Sequence, residues 1–157
     1  MKTILVCKSK YHGNTKKVAD VIAGVLGARV VDPADISAAE LSSYDLVGFG
    51  SGIHLQKFYP ELLEFVASLP AGQRGKVFVF ASSGFKDSGP TAFSAPLVKL
   101  LQEKGFEVID TFSSRALDTF APFKIFGGIR KGRPNAADLD TAREFAAGLL
   151  ARNGALS

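Results

Sequence analysis

The chain has 157 residues, 46% of them hydrophobic and 22% charged, which is typical of one globular domain and excludes a chain that is mainly disordered. A single cysteine excludes an internal disulfide, and with only two histidines beside it we expect no metal site. The net charge is +4. The basic residues lack the aromatic spacing and the groove-binding helix of nucleic-acid-binding domains, so we expect no nucleic-acid partner.

The first part of the chain alternates between strand and helix patterns. Residues 2–7 form a short apolar run that predicts a buried strand, and no long apolar signal or membrane-spanning segment follows, so we expect a cytoplasmic protein. A helix with one apolar face follows and ends at Gly27, and residues 29–31 predict a second strand. Ser37 and Glu40 have the spacing of a capping box, which predicts a brief helix.

The alternation continues to the end of the chain. Residues 45–49, 76–81 and 106–112 predict three further strands. The helices between and after them are expected to begin near Pro60, Pro96 and Asn135. The whole chain, residues 1–157, is therefore expected to form a single α/β domain, a doubly wound sheet of five parallel strands with helices on both faces.

One segment, residues 113–134, interrupts this alternation, and we call it the insert. Phenylalanine and isoleucine alternate there with basic residues. A connection of this length is usually functional or has structure of its own. The insert contains one of two basic clusters without an acid between their members: the first is Lys8, Lys10, Lys16 and Lys17, and the second is Lys124, Arg130, Lys131 and Arg133. Apolar residues beside the second cluster predict a docking surface for an acidic partner or a membrane face, although a packed structural excursion is the plainer alternative.

The loop at residues 9–15 predicts a phosphate site. It joins a strand to a helix, and the free N–H groups of a helix N-terminus bind anions. Gly13 lets the backbone curl around the anion, and the hydroxyl and amide side chains add donors. Neither common glycine-rich alternative fits: nothing matches the P-loop, and Gly48, Gly50 and Gly52 fail the dinucleotide fingerprint because Ile53 occupies the next required glycine position.

The segment S-K-Y-H-G-N-T-K-K-V-A, residues 9–19, resembles the phosphate loop of the flavodoxin family. The resemblance covers essentially the whole chain and implies strand order 2-1-3-4-5, with FMN bound noncovalently at the carboxyl ends of the strands. By position, the residues that would hold the phosphate are Ser9, Lys10, Tyr11, His12, Gly13, Asn14 and Thr15. Those on one side of the flavin ring would be Ser51, Gly52, Ile53 and His54, and those on the other side Ser82, Ser83, Gly84 and Phe85.

The chain departs from typical flavodoxins in three ways. It has no tryptophan, so His54 and Phe85 are the candidates to flank the ring. It is basic where typical members are acidic, so the partners of those members do not carry over. Its insert is similar to that of flavodoxin-fold protoporphyrinogen oxidases, although no catalytic residue can be matched.

Three functions follow from these observations. The first is an FMN electron carrier that exchanges electrons with a flavin reductase and an acceptor protein, with no catalytic acid, base or nucleophile of its own. The second is an FMN-dependent oxidoreductase, either protoporphyrinogen-oxidase-like or quinone-reducing, with a substrate site at the insert. The third is a binding module without a flavin, which is disfavoured because the acidic cluster and lysine of receiver-type domains are missing.

Overall fold

A computed structural model of the protein describes residues 1–9, 14–54, 57–83, 94–115 and 136–153. The strands are β1 (Thr3–Lys8), β2 (Arg29–Val31), β3 (Leu46–His54), β4 (Lys57–Phe58), β5 (Lys76–Ser83) and β6 (Glu107–Arg115). The α-helices are α1 (Asn14–Leu26), α2 (Ala38–Leu41), α3 (Pro60–Ser68), α4 (Ala95–Glu103) and α5 (Ala136–Asn153), and a 3-10 turn spans Pro33–Asp35.

The sheet has the predicted order. Five parallel strands lie side by side as β2-β1-β3-β5-β6, which is order 2-1-3-4-5 when the parallel strands alone are numbered. The predicted fold class is therefore confirmed. The short β4 was not predicted, and it pairs antiparallel with the end of β3.

Several strands run further than their apolar residues indicate. β3 continues to His54 and β5 to Ser83, so the predicted loop residues 51–54 and 82–83 lie in strands. Residues 113–115 belong to β6, so the prediction that the insert begins at residue 113 is wrong. The reason is that polar residues still pair through their backbone, as Gly52 does with Ser82 and Ser83 with Arg115. Residues 116–134 of the insert lie outside the described residues.

Helices cover both faces of the sheet, as predicted. On one face, α3 and α4 pack against strand residues such as Ile4, Val47 and Val79. On the other, α1 and α5 pack against residues such as Leu5 and Phe80. Two-residue alternation sends neighbouring strand side chains into opposite cores, which explains the nearly continuous apolar runs of the central strands.

The helix ends follow the sequence signals. Gly27 and Gly105 have positive φ angles of 66° and 107° directly after α1 and near the end of α4, a conformation that glycine adopts without strain. Ser37 caps α2 by accepting a hydrogen bond from the Glu40 N–H at 3.2 Å. The Glu40 carboxylate binds Arg29 at 2.8 Å, tying this short helix to the edge strand β2.

No helix of the described ranges is both long and apolar enough to cross a membrane.

Candidate functional site

The candidate site lies where the carboxyl ends of β1 and β3 meet. Their last paired residues are Lys8 and Ser51. The chain leaves β1 towards α1 on one face of the sheet and leaves β3 towards α3 on the other, so a crevice opens between the two connections.

The phosphate-loop side of the crevice is built on the first turn of α1. The Ser9 hydroxyl accepts a hydrogen bond from the Lys16 N–H at 3.3 Å, so the beginning of the loop folds back onto the helix. Thr15 is buried, with 3% of its surface exposed. Helix N-termini leave backbone N–H groups without partners inside the helix, so this end of α1 can bind an anion. Residues 10–13, which include the predicted donors Lys10, Tyr11 and His12 and the predicted hinge Gly13, lie outside the described residues.

The β3 side of the crevice contacts that first turn directly. A Cβ atom built on Gly52 would lie 3.0 Å from Thr15 Oγ1 and 3.2 Å from Tyr59 Cε2. Both distances are shorter than ordinary van der Waals contacts, so only glycine fits without displacing a neighbour. The structure thus brings together Thr15 and Gly52, which the sequence assigns to the phosphate and ring parts of the site.

Ser51 lies beneath this contact with no exposed surface. Its hydroxyl donates a hydrogen bond to the Gly52 carbonyl at 2.7 Å and accepts one from the Tyr59 N–H at 3.0 Å. The predicted ring-side residue Ser51 therefore directs its hydroxyl to the backbone.

The other predicted ring-side residues that the structure describes lie at the ends of two neighbouring strands. The end of β3 turns back as β4, with Ile53 opposite Phe58 and His54 opposite Lys57. On the adjacent strand, Ser82 pairs with Gly52, so the ends of β3 and β5 lie side by side at the crevice. Gly84 and Phe85 lie outside the described residues. The assignment of all these residues to a ligand remains a prediction.

Tyr59 is the residue that sequence reasoning missed. It is buried directly before α3, and its ring lies beside Gly52 on the α1 side of the sheet. A local signal existed, because Tyr59 precedes the helix-opening Pro60. That signal locates a helix start, but it cannot show that the ring lies beside Gly52.

Ion pairs offset part of the first basic cluster. Lys8 lies 3.2 Å from Asp32, and Lys16 lies 3.2 Å from Asp20. The lysines are consecutive positive charges along the sequence, but the fold gives two of them carboxylate partners. The positive field at the crevice is therefore weaker than the sequence indicates.

Cys7 lies one residue before this edge as a buried neutral thiol. The pKa of Cys7 is raised from 9.0 to about 12, mainly by burial and also by the nearby Asp20 carboxylate, while Lys16 acts in the opposite direction. Because the thiolate is the nucleophilic form, the Cys7 side chain is inert at neutral pH.

Within the described ranges, no group of three or more His, Cys, Asp or Glu side chains could hold a metal ion. What this part of the site presents is hydroxyl groups, a helix N-terminus and closely approaching backbone, which are groups that bind and orient a ligand.

Known proteins are similar to this chain in sequence and in fold. Residues 5–132 match the model of a flavodoxin domain family. An uncharacterized protein of Methanocaldococcus jannaschii is 35% identical over 150 residues, which cover 96% of this chain and 99% of that protein.

Solved structures share the fold at lower identity. Flavodoxin 2 of Bacillus cereus has a TM-score of 0.68 and 20% identity, over 97% of this chain and 99% of its own. Flavodoxin 1 of the same organism has a TM-score of 0.67 and 22% identity, over 96% and 97% of the two chains. An azoreductase of Bacillus anthracis is also similar, with a TM-score of 0.63 and 12% identity, over 94% of this chain and all of its own.

Proposed function

Because this chain belongs to the flavodoxin domain family, we propose that it binds FMN at the carboxyl edge of its sheet and carries electrons between redox proteins. The observation that carries the proposal is the close approach of Gly52 to Thr15, which joins a helix N-terminus and a ring-side strand in one crevice. In this proposal FMN supplies the redox chemistry, and the chain binds and orients it.

The residues of the crevice fit the two ends of such a ligand. A phosphate suits the first turn of α1, because a helix N-terminus attracts anions and the hydroxyl groups of Ser9 and Thr15 belong to this turn and the loop before it. A flat ring suits the adjacent ends of β3 and β5, which lie side by side at the crevice. The proposed phosphate ligands remain residues 9–15, and the proposed ring neighbours remain residues 51–54 and 82–85.

An FMN-dependent oxidoreductase is the second candidate. The structural likeness to an azoreductase is the observation that favours it, although identity of 12% shows the shared fold alone. In the first proposal the partners are a flavin reductase and an acceptor protein in the cytoplasm. In the second, a quinone or porphyrinogen substrate replaces the acceptor protein.

The absorption spectrum of the freshly purified protein tests FMN binding. We expect flavin bands in the visible range, and release of one FMN per chain on denaturation. A colourless protein that cannot be reconstituted with FMN would contradict the proposal. Turnover with quinones, porphyrinogens or azo dyes, without a protein acceptor, would favour the oxidoreductase.

The phosphate assignment has its own test. Replacing Asn14 and Thr15 together by alanine removes two donors at the start of α1, so FMN affinity should fall by about 2–5 kcal/mol. Riboflavin lacks the phosphate, so its affinity should change far less. Equal losses for FMN and riboflavin, measured by fluorescence titration, would place the phosphate elsewhere.

A further inference from the structure

The Ser51 hydroxyl closes the base of a small hairpin. The bond from the Tyr59 N–H to Ser51 Oγ joins residues eight positions apart, at a length of 3.0 Å. Between them the chain runs out along the last residues of β3 and returns along β4. We call the described residues 52–54 and 57–58 the edge hairpin.

Few other contacts hold the edge hairpin in register within the part of the chain that the structure describes. Its ladder consists of two residue pairs, Ile53 with Phe58 and His54 with Lys57. Two-stranded hairpins of this length are marginal in water. The described residues add two anchors at its base: Phe58, which packs in the core beside α3, and the hydrogen bonds of Ser51.

The base of the edge hairpin is also the point of contact with α1. Gly52 approaches Thr15 and Tyr59 so closely that a Cβ atom would fit only if one of these neighbours moved. Since Tyr59 and Thr15 are both neighbours of Gly52, a shift of Tyr59 would disturb the packing at this contact. The Ser51 hydroxyl controls this position because it binds the Tyr59 backbone and the Gly52 carbonyl at once.

We propose that Ser51 is a positioning residue, whose buried hydroxyl holds the edge hairpin against the start of α1 and so fixes the ring-side part of the site. Ser51 acts through the backbone of Gly52 and Tyr59 and need not touch the ligand. This inference rests on the proposed function, because the value of a fixed hairpin is that it orients a flavin ring beside it.

Ser51→Ala tests the inference, with Val77→Ala as the matched control. Val77 is fully buried in β5 at the opposite end of the sheet, so its truncation lowers stability without touching the hairpin. Riboflavin, which presents the ring without the phosphate, is the probe. Ser51→Ala should weaken riboflavin binding about tenfold, the equivalent of one lost hydrogen bond, and should alter the visible spectrum of the bound flavin. Val77→Ala should lower the melting temperature and leave both readouts close to wild type.

Amide hydrogen exchange in the flavin-free protein supplies a readout that does not depend on ligand binding. In Ser51→Ala the amides of Tyr59 and the edge hairpin should exchange about tenfold faster, while those of β1 keep their rates. If the alanine variant does not fold, Ser51→Cys keeps a group of similar size with weaker hydrogen bonding, and it should show the same changes to a smaller degree.

Two results separate the inference from the proposed function. If wild type binds riboflavin and Ser51→Ala binds it equally well, with unchanged hairpin exchange, Ser51 merely fills the core and the inference is overturned. If wild type binds neither FMN nor riboflavin, the proposed function fails, and the exchange rates alone decide whether Ser51 holds the hairpin.

Discussion

The glycines of β3 show how one residue type serves different purposes along a single strand. Gly48 and Gly50 lie beneath the rings of Phe78 and Phe80, and a Cβ atom on them would lie only 2.4 and 2.0 Å from those rings. They are therefore packing glycines, which give two buried aromatic side chains room above the sheet. Gly52 differs, because its neighbours belong to the candidate site.

Gly50→Ala should destabilise the protein by about 1–3 kcal/mol, because the new methyl group collides with the fully buried ring of Phe80. Urea denaturation measures the loss. Gly24→Ala is the control: this glycine is exposed in α1 with no atom near a built Cβ, so alanine should stabilise the helix by about 0.5–1 kcal/mol. Equal effects at the two positions would contradict the packing role of Gly50.

The buried thiol of Cys7 predicts that the protein loses stability at alkaline pH. Its pKa is raised to about 12 in the folded protein, so above the ordinary value of 9.0 the unfolded chain loses the thiol proton while the folded chain keeps it. Stability from the neutral thiol is thus present below pH 9 and is lost as the pH rises towards the folded pKa, by up to about 1.4 kcal/mol per pH unit.

The comparison of wild type with Cys7→Ala isolates this effect, because the two proteins share every other ionisable group. Urea unfolding at a series of pH values from about 8 to 11 should give a steeper decline for wild type. An alkylating reagent at about pH 8 should modify Cys7 only after denaturation. Rapid labelling of the native protein would show that the thiol is accessible.

At the scale of elements, α5 completes the core on the α1 side of the sheet. Phe145 stacks on Phe112 with ring centroids 4.8 Å apart and meets Phe78 edge-on at 5.8 Å. β6 contains a β-bulge beside this cluster. The pairing passes from Val77–Val108 directly to Phe78–Asp110 and leaves Ile109 as the extra residue. This shift aligns Asp110 with the α5 side, where Arg152 binds it at 2.8 Å.

Burial of apolar side chains should account for most of what α5 contributes to the free energy of unfolding. The Asp110–Arg152 ion pair is partly exposed, and such pairs contribute at most about 1 kcal/mol. Leu149 has no exposed surface, whereas its neighbour Leu150 is 39% exposed. Leu149→Ala should therefore cost about 2–5 kcal/mol of unfolding free energy, and Leu150→Ala less than about 1 kcal/mol. The two substitutions change helix propensity equally. The difference between the unfolding free energies of the two variants, measured by heat or urea, therefore reports the effect of burial. Similar losses would mean that α5 does not pack as described.

At the scale of the whole molecule, the distribution of charge bears on partner choice. The net charge is +4, and the first basic cluster is partly offset by Asp20 and Asp32. The second cluster, in the insert, lies outside the described residues, and its role as a docking surface for an acidic partner or a membrane face stays a prediction.

Replacing Lys124, Arg130, Lys131 and Arg133 by glutamine should slow electron transfer to the native partner and reduce its salt dependence, while FMN content and midpoint potential stay unchanged. The reason is that charge attraction speeds association and is screened over about 8 Å at physiological ionic strength. A smaller pair, Lys131→Gln with Arg133→Gln, can be matched against Arg74→Gln with Lys99→Gln, two exposed positions in the loop before β5 and in α4. If both pairs of substitutions change the electron-transfer rate equally, the effect comes from net charge and not from a docking surface at the insert.

The sequence by itself determined the order of the helices and parallel strands, and with it the fold class. Apolar periodicity located five parallel strands, glycines marked the ends of α1 and α4, and the Ser37–Glu40 spacing located α2. The loop after β1 was identified as the place to look for a phosphate because strand, turn and helix signals are local. Such signals depend on neighbours within a few residues, which the sequence displays directly.

Tertiary structure alone decided how the site is assembled. Strands extend to His54, Ser83 and Arg115 because backbone groups pair with neighbouring strands, whatever the side chain. The inward hydroxyl of Ser51 and the close approach of Gly52 to Thr15 join residues far apart in the chain. These contacts depend on the distance between elements after folding, and side-chain periodicity contains no information about that distance.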